Sequence, residues 1–87
     1  MFQFTLRRAR TPAKFPNRIR EYRLRAELTQ KRLGEITSKG RSIISAWERG
    51  RMLPSLLNAF RLARSLDTLP EMLYPSLYEA ARPTTSA

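Results

Sequence analysis

Apolar residues recur every three or four positions through most of this chain, which is the helical period; they alternate singly only at its start. There Phe2, Phe4 and Leu6 alternate with Gln3 and Thr5, a strand-like pattern. Pro12 and Pro16 then block a helix, because proline fixes φ and lacks a backbone donor. Asn17 is a good N-cap for a first helix running to about Ala26, with Ile19, Tyr22, Arg23 and Ala26 on one face and Leu24 and Leu28 beside it. Thr29 caps a second helix to about Ile36, with Leu33 and Ile36 predicted to face inward. A third runs from Gly40 or Arg41 to Arg49, stops at Gly50, and puts Ile44 and Trp47 in the core. Pro54 suits the first turn of a fourth helix, whose apolar stripe is Leu56, Leu57, Phe60, Ala63 and Leu66. Thr68-Leu69-Pro70-Glu71 has the spacing of a capping box and opens a short fifth helix to about Leu73, which Pro75 ends. The pattern predicts an all-α fold in three parts: a basic arm over 1–16, a helical domain over 17–78 and a flexible tail over 79–87.

Eighty-seven residues allow one small domain with a limited core, so a second copy would add to its stability. The chain has no Cys and no His. That excludes disulfides and thiolate metal sites, and it removes the usual general base and the commonest metal ligand. Carboxylates, Ser, Lys and Tyr remain, but no acid, base and nucleophile stand together, so no enzyme, metal or cofactor is expected. No apolar run is long enough to span a bilayer. Met1 to Leu6 is too short for a signal-peptide core, and the arginines follow it rather than lead it, so a cytoplasmic protein is expected.

Charge changes the picture more than composition does. The net charge is +10, and residues 1–51 hold 14 Lys and Arg against 4 Glu. Residues 52–87 hold 3 Arg against Asp67, Glu71 and Glu79. An excess confined to one half points to a polyanion bound there. Arg7, Arg8 and Arg10 put part of it in the arm. Three readings of that arm stay open: a solvated tail, a DNA clamp, or a strand paired with a dimer mate. The rest lies around helices two and three, joined by the polar turn Thr37-Ser38-Lys39-Gly40. Two short helices so joined in a basic chain suggest a helix-turn-helix that reads DNA. Lys31 and Arg32 are poor partners for the dipole at the start of helix two, a conflict that a nearby phosphate would offset. Lys39, Arg49 and Arg51 are further phosphate candidates.

The pieces Ile19-Arg20-x-x-Arg23, Leu28-Thr29-Gln30, Leu33, Arg41-Ser42-x-Ile44-Ser45, Trp47-Glu48-Arg49-Gly50, Pro54-Ser55-Leu56 and Leu62-Ala63-x-x-Leu66 occur in one order and spacing. In these, residues 18–74 resemble the Cro/C1-type, or XRE-like, helix-turn-helix family of phage repressors and small bacterial regulators. The resemblance implies a lambda-repressor-like five-helix bundle with helix three in the major groove of double-stranded DNA. By position it puts Arg41 and Ser42 against base edges and Ser45 and Ala46 one turn further on. It places Thr29, Gln30 and Lys31 near a phosphate at the entrance of helix two. It pairs Glu48 with Arg23 as a structural bridge. It also implies a bacterial or phage-encoded, nucleoid-associated regulator, most simply a repressor acting as a homodimer on a near-palindromic operator. Dimer contacts are expected from Leu69, Leu73, Tyr74, Leu77 and Tyr78, and an antitoxin or adaptor with a protein partner, or a non-specific binder, is the alternative. The chain departs from the family in the turn: Lys39 stands where an apolar residue is usual, and Gly34 where Ala is usual.

Overall fold

Four helices of this protein finish in the same way. After the last turn one residue takes a left-handed backbone: Glu27 (φ 58°), Ser38 (φ 58°), Gly50 (φ 73°) and Asp67 (φ 54°). The next amide then reaches back five residues. These bonds run from Leu28 N to Arg23 O (3.1 Å), Lys39 N to Gly34 O (2.8 Å), Arg51 N to Ala46 O (2.9 Å) and Thr68 N to Ala63 O (2.9 Å). This closure satisfies carbonyls that a helix end leaves without partners. It also explains why such short helices stop sharply and turn back on one another.

The computed structural model describes residues 12–84 and is all-helical, with no strand among them. The order is α1 (Ile19–Arg25), α2 (Gln30–Thr37), α3 (Arg41–Glu48), α4 (Leu56–Ser65), α5 (Pro70–Leu73) and α6 (Pro75–Ala80). The strand-like stretch from Phe2 to Leu6 lies outside the described residues. α2 packs on α3 and α4, α1 on α3, and α5 on α4. Their shared core is Ile19, Leu33, Ile44, Trp47, Leu62, Ala63, Leu66, Leu73 and Tyr74. Phe15, Tyr22, Leu28, Ile43 and Leu77 pack around it.

Caps at α2 and α4 follow from sequence. The Thr29 hydroxyl accepts from Arg32 N at 3.0 Å and the Ser55 hydroxyl from Asn58 N at 3.1 Å. Pro54 therefore precedes the cap of α4 and is not in its first turn. The expected capping box at Thr68 does not form: Leu69 occupies the cap position, and Pro70 starts α5. Pro75 ends α5 but also opens a sixth helix, which carries two residues into the expected tail.

The face of α4 is the main correction. Asn58, Leu62, Ala63 and Leu66 turn inward, whereas Leu56, Leu57 and Phe60 are exposed. The apolar stripe runs round more than half of α4, and the α2 contact selects its Leu62–Ala63 side. Smaller corrections have similar causes. Ala26 and Leu24 of the α1 region are exposed, and Ile36 is half-buried. Thr37 takes the inward place instead, its hydroxyl donating to Leu33 O at 2.9 Å.

Candidate nucleic-acid interface

α3 has two faces. Ile44 and Trp47 fill the core, while Arg41 and Ser42 are exposed on the other side and Ser45 and Ala46 are half-buried. Burying Trp47 settles it as a core residue rather than a stacking platform. The Ser45 hydroxyl accepts from the Arg49 guanidinium one turn later. Arg49 and Arg51 are exposed beyond the end of α3. At the other end Lys31, Lys39 and Arg41 line one open cleft of about 530 Å³ with Gly34, Glu35, Ser38 and Gly40. The fold thus gathers three expected DNA contacts from α2, the turn and α3. Arg7, Arg8 and Arg10 lie outside the described residues.

The turn keeps its shape despite its unusual residues. Lys39 is exposed, and its carbonyl approaches Gly34 so closely that a Cβ there would lie 2.4 Å from Lys39 O. The missing methyl on α2 is what lets this turn close. Thr37, 1% exposed, supplies the buried side chain that Lys39 cannot.

Beneath this surface lies a charged network. Arg23 Nε donates to Glu48 Oε2 at 2.5 Å, and Arg23 Nη2 to Glu48 Oε1 at 3.2 Å. Arg23 Nη1 donates to Leu28 O at 3.0 Å. Gln30 Nε2 donates to Glu48 Oε1 at 3.1 Å. The side chains of Arg23 and Glu48 are only 10% and 3% exposed. A buried charge persists when it is paired and its remaining hydrogen-bonding groups are satisfied, and here both conditions hold. The pair fixes α3 against α1, and Gln30 ties the start of α2 to the same carboxylate. Gln30, expected at a phosphate, is half-buried and already serves this network.

The other acids sort the cations further. Glu21 pairs with Arg18 at 2.7 Å and with Arg25 at 2.5 Å. The Arg18 hydrogen bond holds the Glu21 carboxyl below its ordinary range, and Glu21 in turn raises Arg18. Both guanidinium groups also flank the Tyr22 ring, at 5.3 and 5.0 Å from its centroid. The i, i+3 and i, i+4 spacing of Arg18, Glu21 and Arg25 signals this cluster, which the sequence reading passed over. By contrast Lys31, Lys39, Arg41, Arg49 and Arg51 have no carboxylate within 4 Å among the described residues. Five unpaired cations thus stand along α3 and its flanks, against Arg20 on α1 and Arg61 and Arg64 on α4.

Two expected dimer residues are not free for one. Leu73 and Tyr74 are buried in the core, Leu77 is half-buried, and Leu69 and Tyr78 are exposed. They sit where α5 turns against α4, and a short helix must bury its apolar side to be held at all.

The pairing of a buried core face with an open, unneutralised α3 face is what comparison with known proteins then explains. The family model described as "Helix-turn-helix" matches residues 19–73. The chain belongs to the XRE-type helix-turn-helix family. An HTH-type transcriptional regulator of Methanothermobacter thermautotrophicus, itself uncharacterized, is 48% identical over 48 residues, covering 55% of this chain and 70% of that one. The restriction-modification controller protein C.AhdI of Aeromonas hydrophila is 37% identical, with a TM-score of 0.58 over 66% of this chain and 86% of that one. A hypothetical transcription factor from Neisseria, NHTF, shares the fold at 22% identity, with a TM-score of 0.57 over 86% of this chain and 100% of that one. This XRE-type chain is therefore a transcriptional regulator of a DNA-binding, non-enzymatic family. Among the described residues no helix is long and apolar enough to cross a membrane.

Proposed function

We propose that this regulator binds one operator sequence-specifically as a homodimer and represses from it. The observation that carries this is the exposed α3 face, where Arg41 and Ser42 stand ready for bases between unpaired cations on both sides. Arg41 would take a guanine edge bidentately, Ser42 and Ser45 would donate or accept, and Ala46 would meet a thymine methyl or leave room. Thr29, Gln30, Lys31, Lys39, Arg49 and Arg51 would hold phosphates. The likeness to C.AhdI supports a controller role over a small set of genes, such as a restriction-modification pair. No observation favours the antitoxin reading over this one. Selection of bound duplexes from a random pool at about 150 mM salt tests it, since weak non-specific binding is suppressed there. An inverted repeat is expected, and recovery of no motif would leave a non-specific binder.

The dimer surface we assign to α4. Residues 52–60 carry no charge in a chain of +10. Within them Leu53, Leu56, Leu57 and Phe60 are 44%, 72%, 57% and 48% exposed. Two strongly basic copies repel least where charge is sparsest, and this patch, bordered by Arg61 and Arg64 one turn further along α4, can meet its own copy as a self-complementary face. The exposed area, on the order of a few hundred Å² per copy, is below the roughly 800 Å² per partner of a standard interface. A weak dimer that DNA completes is therefore expected. Sedimentation of the parent should show concentration-dependent association, and Leu57→Glu should sediment as a monomer with unchanged helicity. A variant that associates like the parent would remove α4 from the interface.

A further inference from the structure

The chain just before α1 is fastened to the end of α3. Phe15 N donates to Gly50 O at 2.9 Å. Asn17 Nδ2 donates to Phe15 O at 3.0 Å and to Trp47 O at 2.7 Å, while Asn17 Oδ1 accepts from Ile19 N at 3.0 Å. One side chain thus caps α1 and clips the preceding strand of chain to α3. Gly50 leaves no room for a larger residue. A Cβ there would lie 2.7 Å from Phe15 O and 2.8 Å from the Ala13 side chain, on a backbone with φ of 73°.

The clip has an electrostatic result. Lys14 is brought beside Arg49 and Arg51, and with Pro12 the three line a cleft of about 200 Å³. No carboxylate lies within 4 Å of any of these cations among the described residues. The Lys14 ammonium lies 5.9 Å from the centroid of the Phe15 ring, and three cations lining one cleft without an acid make a like-charge contribution that is unfavourable in the free protein. An anion from outside reverses the sign of that contribution. Arg49 and Arg51 bring forked donors suited to phosphate oxygens, and Lys14 brings a mobile point charge.

We propose that the Lys14–Arg49–Arg51 cleft is a phosphate site, filled by a backbone phosphate of the duplex that α3 reads. This deepens the DNA-binding reading and rests on it. The segment before α1 then belongs to the interface, and Asn17 and Gly50 are positioning residues that act through Lys14. The ligand chemistry is a phosphate group, and its two sources are a nucleic-acid backbone and free phosphate.

The test uses the full chain. Affinity for a selected duplex and for a scrambled one is measured between about 50 and 200 mM salt for the parent, Lys14→Gln, Arg51→Gln and the double variant. Each single change should weaken both duplexes by a similar factor, roughly three- to tenfold, with a salt-slope loss smaller than the ~0.9 of one whole phosphate contact, which the double variant should approach. The double variant should lose less than the product of the two, because both residues serve one phosphate. All three variants should unfold at or slightly above the parent's temperature, because each relieves like-charge repulsion in the free protein. A Lys14→Gln protein with the parent's slope and affinity overturns the cleft while the DNA reading stands. A parent that binds neither duplex overturns the DNA reading. Inorganic phosphate alone, followed by NMR at the Phe15 and Gly50 amides, then decides the cleft: a saturable shift lost in Lys14→Gln keeps it as a free-phosphate site, and no shift overturns it as well.

Discussion

The α1 region and the flanks of α3 are both rich in basic residues, yet they differ in how much of that charge is paired. Around α1, Arg18 and Arg25 share Glu21 and Arg23 holds Glu48 in the interior, which leaves Arg20 alone of its arginines without an acid partner among the described residues. Around α3, Lys39, Arg41, Arg49 and Arg51 have no acid partner among the described residues. The carboxylate of α3 itself, Glu48, is turned inward and spent on α1. Net charge does not therefore locate a binding face; the pairing of charges does. Cations already satisfied by neighbours gain little from DNA, whereas unpaired ones displace condensed counterions from it.

The sharpest way to break this comparison is to remove each helix's acid in turn. Glu48→Ala leaves Arg23 buried and unpaired, and should lower unfolding stability by about 3–5 kcal/mol in urea titrations. Glu21→Ala, at an exposed pair screened by solvent, should leave it nearly unchanged. Similar losses in the two variants would mean that Glu48 is not the hinge between α1 and α3. The next largest effect is on DNA. Arg41→Ala should cost about 1–3 kcal/mol of discrimination at one base pair with little change in stability. Gln30→Ala should instead weaken every duplex alike, and Arg25→Ala should weaken none appreciably. Uniform losses for Arg41→Ala would reassign it to a phosphate.

Gly34→Ala tests how the turn supports α3. Helix propensity alone forecasts a gain of about 1 kcal/mol. The Lys39 carbonyl, 2.4 Å from where the Cβ would stand, forecasts a loss of about 1–3 kcal/mol instead. The smallest effect belongs to Tyr74, whose buried hydroxyl has no hydrogen-bond partner among the described residues. Burial pushes its phenol from 10.0 up to about 12. Between those values the unfolded chain ionises first and the folded one keeps its proton. Stability should therefore fall as pH rises through that window and be unaffected below it. Tyr74→Phe should remove this slope and leave stability at neutral pH equal or higher by about 1 kcal/mol. Unfolding midpoints at neutral pH and across that window would show both.

Much of the fold was legible because the cues are local. Thr29 caps α2, Gly50 closes α3, and Ile44 and Trp47 share a face at helical spacing. The Arg23–Glu48 pair was legible through family resemblance, since no spacing rule joins residues so far apart in sequence. The side of α4 was not legible: Leu56, Leu57, Phe60, Leu62, Ala63 and Leu66 run round more than half of that helix, and period alone cannot choose among them. Leu73 and Tyr74, expected at a dimer surface, are buried in this chain's own core, and a related reason hides that in the sequence. An apolar residue on a short terminal helix has the same pattern whether its own core or another chain covers it.

The sequence by itself determined the helical class, the ends of the first three helices and the basic bias of the first half. Those depend on capping chemistry, periodicity and charge count, which act within a few residues or need no geometry at all. Only the tertiary structure decided which cations are paired, which side of α4 is buried, why Gly34 is tolerated, and that Lys14 stands beside Arg49 and Arg51. Each of these depends on distances between segments remote in sequence. Close packing sets such distances, and a single close approach, as at Gly34 or Gly50, fixes what the residues around it can do.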